Sequence, residues 1–337
     1  MTRPRAITLT VLSLLVGAWV VAVPASAADD GQLTWGVAPA GGKQGDDRPN
    51  FVYDAEPGDV IRDGIVVTNL GSDPLTLRIY AADALTTSSG QLDLLPAGQP
   101  SVDVGTWVAL EDDTVEVPGG GSTTVPFTVS VPDDATPGDH SGGVVTSYVS
   151  DAGGAPVALD SRLGSRMHIR VAGELDPAVT VSAASVTYHG TANPFAGGSA
   201  TVTYTVTNTG NTRVTGTDQV RVSGPGGMLR TAPAGGALPE LLPGSALVRQ
   251  VEVPGVWPTV RVSADVQVLA EGVGIGGRPV PAVSAAATGW AVPWVLAALV
   301  VIVVIGAFAL PAWRDRRSSA AGTSPASSDP EGALAVR

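Results

Sequence analysis

The sequence contains no cysteine, which excludes disulfide bonds, thiolate catalysis and cysteine-ligated metal sites. Histidine is limited to three residues, and neither His168 nor His189 has a second histidine or a carboxylate at the spacing of a zinc site. A glycine-rich phosphate-binding loop is also missing. With so few groups suited to catalysis, we expect a protein that is not an enzyme and that needs no cofactor and no metal.

Carboxylates are abundant by comparison. The pairs Asp112-Asp113 and Asp133-Asp134 stand in turn-like sequence, where acids are usually solvated, although calcium bound by oxygens from separate loops stays an open alternative. Residues 28–173 contain 21 acidic and 7 basic residues, a net charge of −14, whereas residues 174–289 contain 7 acidic and 6 basic residues, a net charge of −1. Because the acidic first half repels phosphate backbones, no nucleic-acid partner is expected.

Two long apolar runs lie near the ends of the chain. The first follows Arg3 and Arg5 and leads to Ala25-Ser26-Ala27, which is typical of a secretory signal peptide over residues 1–27. The second covers residues 290–313, with an uncharged centre and tryptophans at both edges. About 22 helical residues span roughly 33 Å, enough to cross a bilayer core. We therefore expect one transmembrane helix over residues 290–313.

Basic residues next to this run predict its orientation. Arg314, Arg316 and Arg317 follow it directly, and the positive-inside rule places such a flank in the cytoplasm. The tail, residues 314–337, is rich in small and polar residues and is predicted to be disordered. The predicted localisation is the cell membrane, with a single pass, extracellular N-terminal domains and a cytoplasmic C-terminus.

Between these runs the sequence alternates as strands do. Ile65 and Val67 share one parity, and after the turn-like NLGSDP the residues Leu75, Leu77 and Ile79 share another, which predicts an antiparallel pair joined by a tight turn. Further strands follow at short intervals with Gly and Pro turns, a spacing typical of β-sandwiches. We expect an all-β ectodomain of two tandem Ig-like β-sandwiches, residues 28–173 and 174–271, joined to the transmembrane helix by a flexible stalk, residues 272–289.

One short phrase occurs in both predicted sandwiches. Val-Thr-Asn-x-Gly ends a strand at Asn69 and Gly71, and again at Asn208 and Gly210. An asparagine side chain can bond the backbone of a turn, and glycine supplies positive φ where a turn needs it. These four residues are therefore predicted to have a structural role in turns.

The sequence around the first copy resembles a known domain. YDAEPGDVIRDGIVVTNLGSDPLTLRIYAADALTTSSGQL, followed by WVALEDDTVEVPGGGSTTVPFTVSVPDDATPGDHSGGVV, is similar to the peptidoglycan-binding domain of WxL-interacting proteins. These are bacterial surface proteins with a signal peptide, Ig-like domains, one C-terminal membrane helix and a short basic tail. The matching features, over roughly residues 33–171, are Pro57-Gly58, Asn69-x-Gly71, Asp83-Ala84-x-Thr86 with Gly90, the strand that Trp107 opens, and Pro132 leading to Pro137-Gly138 and Gly142-Gly143.

The resemblance implies that the first domain binds peptidoglycan and helps to hold other cell-surface proteins at the wall. Exposed aromatic and polar residues would make the contacts. The candidate ligand or partner contacts are Tyr53, Tyr80, Asp83, Thr86, Trp107, His140 and Tyr148. Two alternatives are open: an adhesion or structural protein that binds another surface protein along a strand edge, and a wall-active hydrolase that uses paired carboxylates.

Overall fold

The computed structural model describes residues 34–150, 159–193, 195–274 and 280–321. The predicted signal peptide, and the end of the predicted cytoplasmic tail from residue 322 onward, lie outside the described residues.

The described residues are mostly β-structure, which confirms the all-β prediction. In the first half of the chain, strands β1 to β10 are Trp35–Pro39, Phe51–Ala55, Val60–Asn69, Leu75–Thr86, Leu92–Leu94, Val108–Leu110, Thr114–Val117, Ser122–Ser130, Gly138–Ser150 and Leu159–Val171. A four-residue helix, α1, Val104–Trp107, stands between β5 and β6. In the second half, strands β11 to β17 are Val179–His189, Gly198–Asn208, Val214–Ser223, Ala237–Leu241, Ala246–Val256, Val260–Gly272 and Val283–Ala291. Helix α2, Trp294–Ala321, follows β17.

The first ten strands form two sheets that share one hydrophobic core. One sheet has the order β1-β3-β8-β6, and the other has the order β2-β10-β9-β4-β5, with β7 also paired to β4. Strand β2 runs parallel to β10. Phe51 from one sheet meets Phe127 from the other edge-on, with ring centroids 5.1 Å apart. Trp35 Nε1 donates to Thr146 Oγ1 at 2.9 Å across the same gap, so aromatic packing and a buried hydrogen bond both join the layers.

The predicted pairing of β3 with β4 is wrong, although both strands are where the alternation places them. Ile65, Val67, Leu75, Leu77 and Ile79 are all buried. However, β3 pairs with β1 and β8, whereas β4 pairs with β5, β7 and β9 in the other sheet. A strand facing a shared core shows the same alternation in either sheet, so the pattern specifies the buried face and leaves the partner strand open.

The remaining strands repeat this arrangement. Sheets β11-β12-β15 and β14-β13-β16-β17 enclose a second core. Within it Tyr204 donates to Asp218 on the opposite sheet, and Arg249 Nε donates to the same carboxylate at 2.8 Å. Burial acts to raise the pKa of Asp218, but hydrogen bonds from Arg249 and Tyr204 outweigh it and hold the pKa below its ordinary value. Among the described residues, each half thus has a tyrosine–aspartate bond between its sheets, buried for Tyr204 and Asp218 and partly buried for Tyr53 and Asp63.

The predicted stalk is partly wrong, because the second half extends to Ala291. Residues 283–291 form β17, which pairs with β16 from Val260↔Ala291 to Val268↔Val283. The small residues that resemble a linker have a packing reason. A Cβ on Gly289 would stand 2.4 Å from the Val186 carbonyl oxygen, so β17 lies too close to β11 for large side chains.

The last element is helix α2. It begins at Trp294, later than the predicted start at residue 290, because Trp290 still belongs to β17. Within the described part of the chain, no helix combines the length and the apolar character that a membrane crossing requires.

Candidate functional site

A cleft of about 490 Å³ lies where the two halves of the chain meet. The first half contributes residues 84–86 at the end of β4, Asp103 just before α1, and residues between 136 and 141 at the start of β9. The second half contributes Asn211 and residues 242–246, which connect β14 to β15. The fold therefore brings together five short segments that are far apart in the sequence.

His140 is held at both ring nitrogens in this cleft. Its Nδ1 lies 2.7 Å from Asp103 Oδ1, and its Nε2 lies 2.8 Å from the Thr136 carbonyl oxygen. Because both oxygens only accept, both nitrogens donate, which is the arrangement of an imidazolium. Burial acts to lower the pKa of His140, but the bonds to Asp103 and Thr136 outweigh it and raise the pKa. The cleft wall thus carries a pair of His140 and Asp103 that favours the protonated imidazole.

Trp107 supports the imidazole from the core side. The two ring centroids are 4.7 Å apart, and only 8% of Trp107 is exposed. Helix α1 buries Val104 and Trp107 together, which turns the indole inward. The ring of Trp107, a candidate ligand contact, packs in the core and against His140, which leaves little of its surface for a ligand.

Asp83 is also a structural residue and is not free to contact a ligand. Its carboxylate accepts the backbone N–H groups of Val102 at 2.6 Å, Asp103 at 3.0 Å and Gly105 at 2.7 Å. These bonds attach the loop that contains Asp103 to Asp83, near the end of β4. The carboxylate is therefore a positioning group for the pair of Asp103 and His140.

Thr86 is the predicted contact, besides His140, that the structure places in the cleft. It lines the wall at the end of β4. Its hydroxyl is buried and has no hydrogen-bond partner among the described residues. Leaving a buried hydroxyl unpaired costs free energy, so this group is suited to bind a polar atom of a ligand.

The three predicted tyrosine contacts lie outside the cleft. Tyr53 is in the core and donates to Asp63 Oδ2 at 2.7 Å, so the prediction that it contacts a ligand is wrong. Tyr80 packs, half-buried, against a small separate cluster around Leu94. Tyr148 packs, half-buried, on the edge of the first core. Alternation along a strand tells which face a side chain occupies, and it does not tell which surface lies beyond that face.

Asp139 links the two halves of the chain at the joint between them. The sequence pattern did not predict this role. Its carboxylate accepts Arg170 Nε at 2.7 Å and Nη2 at 2.9 Å, and it accepts the backbone N–H of Arg213 from the second half at 2.8 Å. Arg170 also donates to the carbonyl oxygens of Val273 and Gly274 at 2.8 and 2.9 Å. The partners of Asp139 are 31 and 74 residues away in the sequence, so no short sequence motif predicts this network.

Asn211 closes the joint beside the cleft. Its amide nitrogen donates to the carbonyl oxygens of Pro137 at 2.9 Å and Glu174 at 2.8 Å. The backbone carbonyl oxygen of Asn211 accepts the N–H of Asp139 at 2.7 Å. These bonds fix the floor of the cleft to both halves.

The sequence Asp139-His140-Ser141 does not form a catalytic triad. His140 pairs with Asp103, while Ser141 Oγ lies 3.0 Å from Nδ1 of a different histidine, His168. Burial, with the nearby charge of Arg213, lowers the pKa of His168 to about 4. Neighbours along a strand point to opposite faces, which separates His140 from Asp139 and Ser141.

The repeated asparagines make the turn contacts expected of them. Asn69 Nδ2 donates to the carbonyl oxygens of Asp73 and Val117, and its Oδ1 accepts the N–H of Gly71 at 2.9 Å. Asn208 makes the same set with Thr212, Leu241 and Gly210.

The glycines of these turns have a different role from the predicted one, because neither has a positive φ. A Cβ on Gly210 would stand 2.2 Å from the Asp176 carbonyl oxygen, and a Cβ on Gly71 would stand 3.3 Å from Asn69 Oδ1. Close approach of backbone atoms therefore requires glycine at 210, whereas at 71 a Cβ would press only on the Asn69 side chain.

Among the residues that the structure describes, no group of three or more His, Asp or Glu side chains is placed to hold a metal ion.

No protein-family model matches the chain, and no curated protein matches it. Among solved structures, the chain is similar to the class 5 fimbriae chaperone CfaA, with 11% identity, a TM-score of 0.35, and coverage of 75% of this chain and 99% of that one. The YadV chaperone gives 13% identity, a TM-score of 0.33 and coverage of 75% and 99%. The CupB2 chaperone of Pseudomonas aeruginosa gives 12% identity, a TM-score of 0.29 and coverage of 73% and 99%. Likenesses this low say nothing of function, and the resemblance to WxL-interacting proteins stays a prediction.

Proposed function

We propose that this chain is an exported, membrane-anchored, non-enzymatic cell-surface protein. In this proposal its two halves are tandem Ig-like β-sandwiches, and the cleft at their joint binds peptidoglycan. Residues 294–313, in helix α2, anchor it, and the bound wall helps to hold other surface proteins nearby.

One observation carries the proposal. The segment Asp83-Ala84-x-Thr86 and the Pro137-Gly138 turn are two of the features that resemble the peptidoglycan-binding domain. They are about 50 residues apart in the sequence, and residues 84–86 of the first and Pro137 of the second line the same cleft. Their convergence gives the resemblance a physical location, because a ligand in the cleft would contact both segments at once.

The chemistry of the cleft suits a polar ligand with hydroxyl and amide groups. The pair of Asp103 and His140 makes part of the wall polar, and Thr86 provides an unpaired hydroxyl. The first half is strongly acidic, so attraction to an anionic wall cannot come from bulk charge. Recognition would rest on these local groups, which give specificity more than long-range attraction.

The same geometry favours binding over catalysis. A general base needs a nitrogen or oxygen free to take a proton. Both ring nitrogens of His140 already donate to oxygens, and the Asp103 carboxylate accepts from one of them. The group that would have to act as base is therefore engaged.

The test is co-sedimentation of the full chain, in detergent, with insoluble peptidoglycan. Thr86→Val keeps the side-chain shape and removes the hydroxyl, and losing one hydrogen bond of about 0.5–1.5 kcal/mol weakens binding about 2- to 12-fold. Thr124→Val, on the exposed face of β8, is the matched control and should bind as the unsubstituted chain does. Equal pelleting of both variants, or no pelleting of the unsubstituted chain, contradicts the proposal.

A further inference from the structure

Four segments meet at the end of the second half that lies farthest from the cleft. The strand registers place Gly198 beside Val256, Ser223 beside Ser263, and Val260 beside Ala291. The connections next to these residues therefore lie at one end, and helix α2 leaves from it. We call this end the tip, and its described residues are 190–193, 195–197, 224–231, 257–259 and 290–294.

The tip exposes large apolar side chains from each of its segments. They are Phe195 at 80% exposure, Met228 at 64%, Leu229 at 56%, Trp257 at 42%, Trp290 at 71% and Trp294 at 74%. The loop that carries Phe195 is held in place, because Asn193 Oδ1 accepts the Phe195 N–H at 3.0 Å. Apolar residues gathered on one surface indicate an interaction site, whereas singly scattered ones do not.

Charge at the tip differs from that of the rest of the chain. The four tip segments contain no Asp or Glu, although the chain has a net charge of −12. Arg230 lies within the tip, and Arg261 lies directly beside it. A partner of this surface is therefore apolar with an anionic rim, which describes a bilayer of acidic phospholipids. Tryptophans are also the residues most suited to the membrane–water interface.

The tip is continuous with the start of α2. A gap of about 290 Å³ is lined by the loop after Tyr188, by Pro258 and by residues 292–296. The side chains described along the helix beyond it are mostly exposed and apolar, from Val295 to Leu310. An apolar helix and an apolar tip that share one edge can meet the same surface.

We propose that the tip rests on the lipid bilayer, with its aromatic side chains at the level of the headgroups. The inference uses the membrane attachment in the proposed function but does not depend on peptidoglycan binding. It sets the orientation of the whole protein. The eleven residues of β12 at about 3.3 Å each would place the cleft roughly 35 Å above the lipid.

Single nitroxide labels on the full chain test this directly, because the absence of cysteine allows one label at a time. Phe195→Cys reports the tip. Val248→Cys is the matched control, since it is 60% exposed on β15 and lies toward the other end of the same half. Val303→Cys on α2 reports membrane attachment.

The labelled chains are placed in vesicles of phosphatidylethanolamine and phosphatidylglycerol, and collisions with oxygen and with a water-soluble nickel chelate are compared. We expect the labels at 195 and 303 to lose access to nickel, and the label at 248 to keep it. A label at 303 in lipid with one at 195 in water overturns the tip proposal and leaves attachment intact. A label at 303 in water overturns attachment and the tip proposal together, while peptidoglycan binding is measured separately.

Discussion

His140 and His168 are both largely buried, but their environments favour opposite charge states. The oxygen acceptors around His140 raise its pKa even though burial acts against the cation. Burial with the charge of Arg213 lowers the pKa of His168 to about 4. One strand, β9, carries both His140 and Ser141, the partner of His168. Contacts at two neighbouring positions on that strand thus accompany pKa shifts in opposite directions.

These shifts predict a stability maximum near the ordinary histidine pKa of about 6.5. The raised pKa of His140 contributes stability that is present below 6.5 and is lost as the pH rises through its folded value. The lowered pKa of His168 contributes stability that is present above 6.5 and is lost as the pH falls toward 4. The urea concentration at the unfolding midpoint should therefore decrease as the pH moves away from about 6.5 in either direction.

Substitution tests which histidine causes each side of this stability profile. His140→Gln should reduce the loss of stability at alkaline pH, and His168→Gln should reduce the loss at acid pH. NMR titration of the imidazoles should give a higher pKa for His140 than for His168. A His140 signal that titrates below that of His168 would rule out the assignment.

At the scale of elements, α1 depends on the lack of a side chain at Gly142. A Cβ there would stand 2.7 Å from the Ala82 carbonyl oxygen and 2.7 Å from Val104 Cβ. The short helix and the loop held by Asp83 therefore pack directly on β9. This contact sets the position of Asp103 against His140.

Gly142→Ala is expected to destabilise the chain by about 1–3 kcal/mol through overpacking, and to lower the pKa of His140 by moving Asp103. Thermal unfolding measures the first effect and NMR titration the second. Gly36→Ala is the control, since Gly36 also lies in a strand but nothing stands within 4 Å of its Cβ position. Equal effects of the two substitutions would show that strand propensity, and not packing of α1, is responsible.

At the scale of the molecule, Asp139 fixes the two halves relative to each other. Its carboxylate is 2% exposed, and the Arg170 and Arg213 side chains around it are 16% and 10% exposed. Arg213 also donates to Glu240 Oε1 at 2.8 Å, but among the described residues Asp139 is the carboxylate that pairs with Arg170. Neutralising Asp139 therefore leaves the largely buried charge of Arg170 without compensation.

Asp139→Asn is therefore expected to cost about 3–5 kcal/mol and to loosen the joint. Val52 and Val248 are exposed and lie in different halves. Spin labels at Val52→Cys and Val248→Cys therefore measure the distribution of distances between the halves. This distribution should broaden in Asp139→Asn. Asp134→Asn, on the exposed turn before β9, should leave the distribution narrow. An unchanged distribution in Asp139→Asn would show that other contacts, such as those of Asn211, hold the joint.

Several features follow from the sequence alone because they depend on neighbouring residues. Alternation identifies the buried face of β3 and β4, since a strand buries every second residue. The Asn69 and Asn208 turns are also predictable, because the asparagine bonds backbone groups two and four residues away. These local patterns determine the all-β class and the repeated corner.

The remaining features were decided by contacts between distant residues. The small side chains of β17 are typical of a linker in the sequence, but in the structure Gly289 lies against β11. Asp83 resembles a ligand contact until its three backbone donors appear, and Asp139 has partners 31 and 74 residues away. A strand pattern fixes which face is buried, whereas the partner across that face is set by long-range packing. The sequence thus determined the strands and their turns, and only the tertiary structure decided which side chains meet in the cleft, at the joint and at the tip.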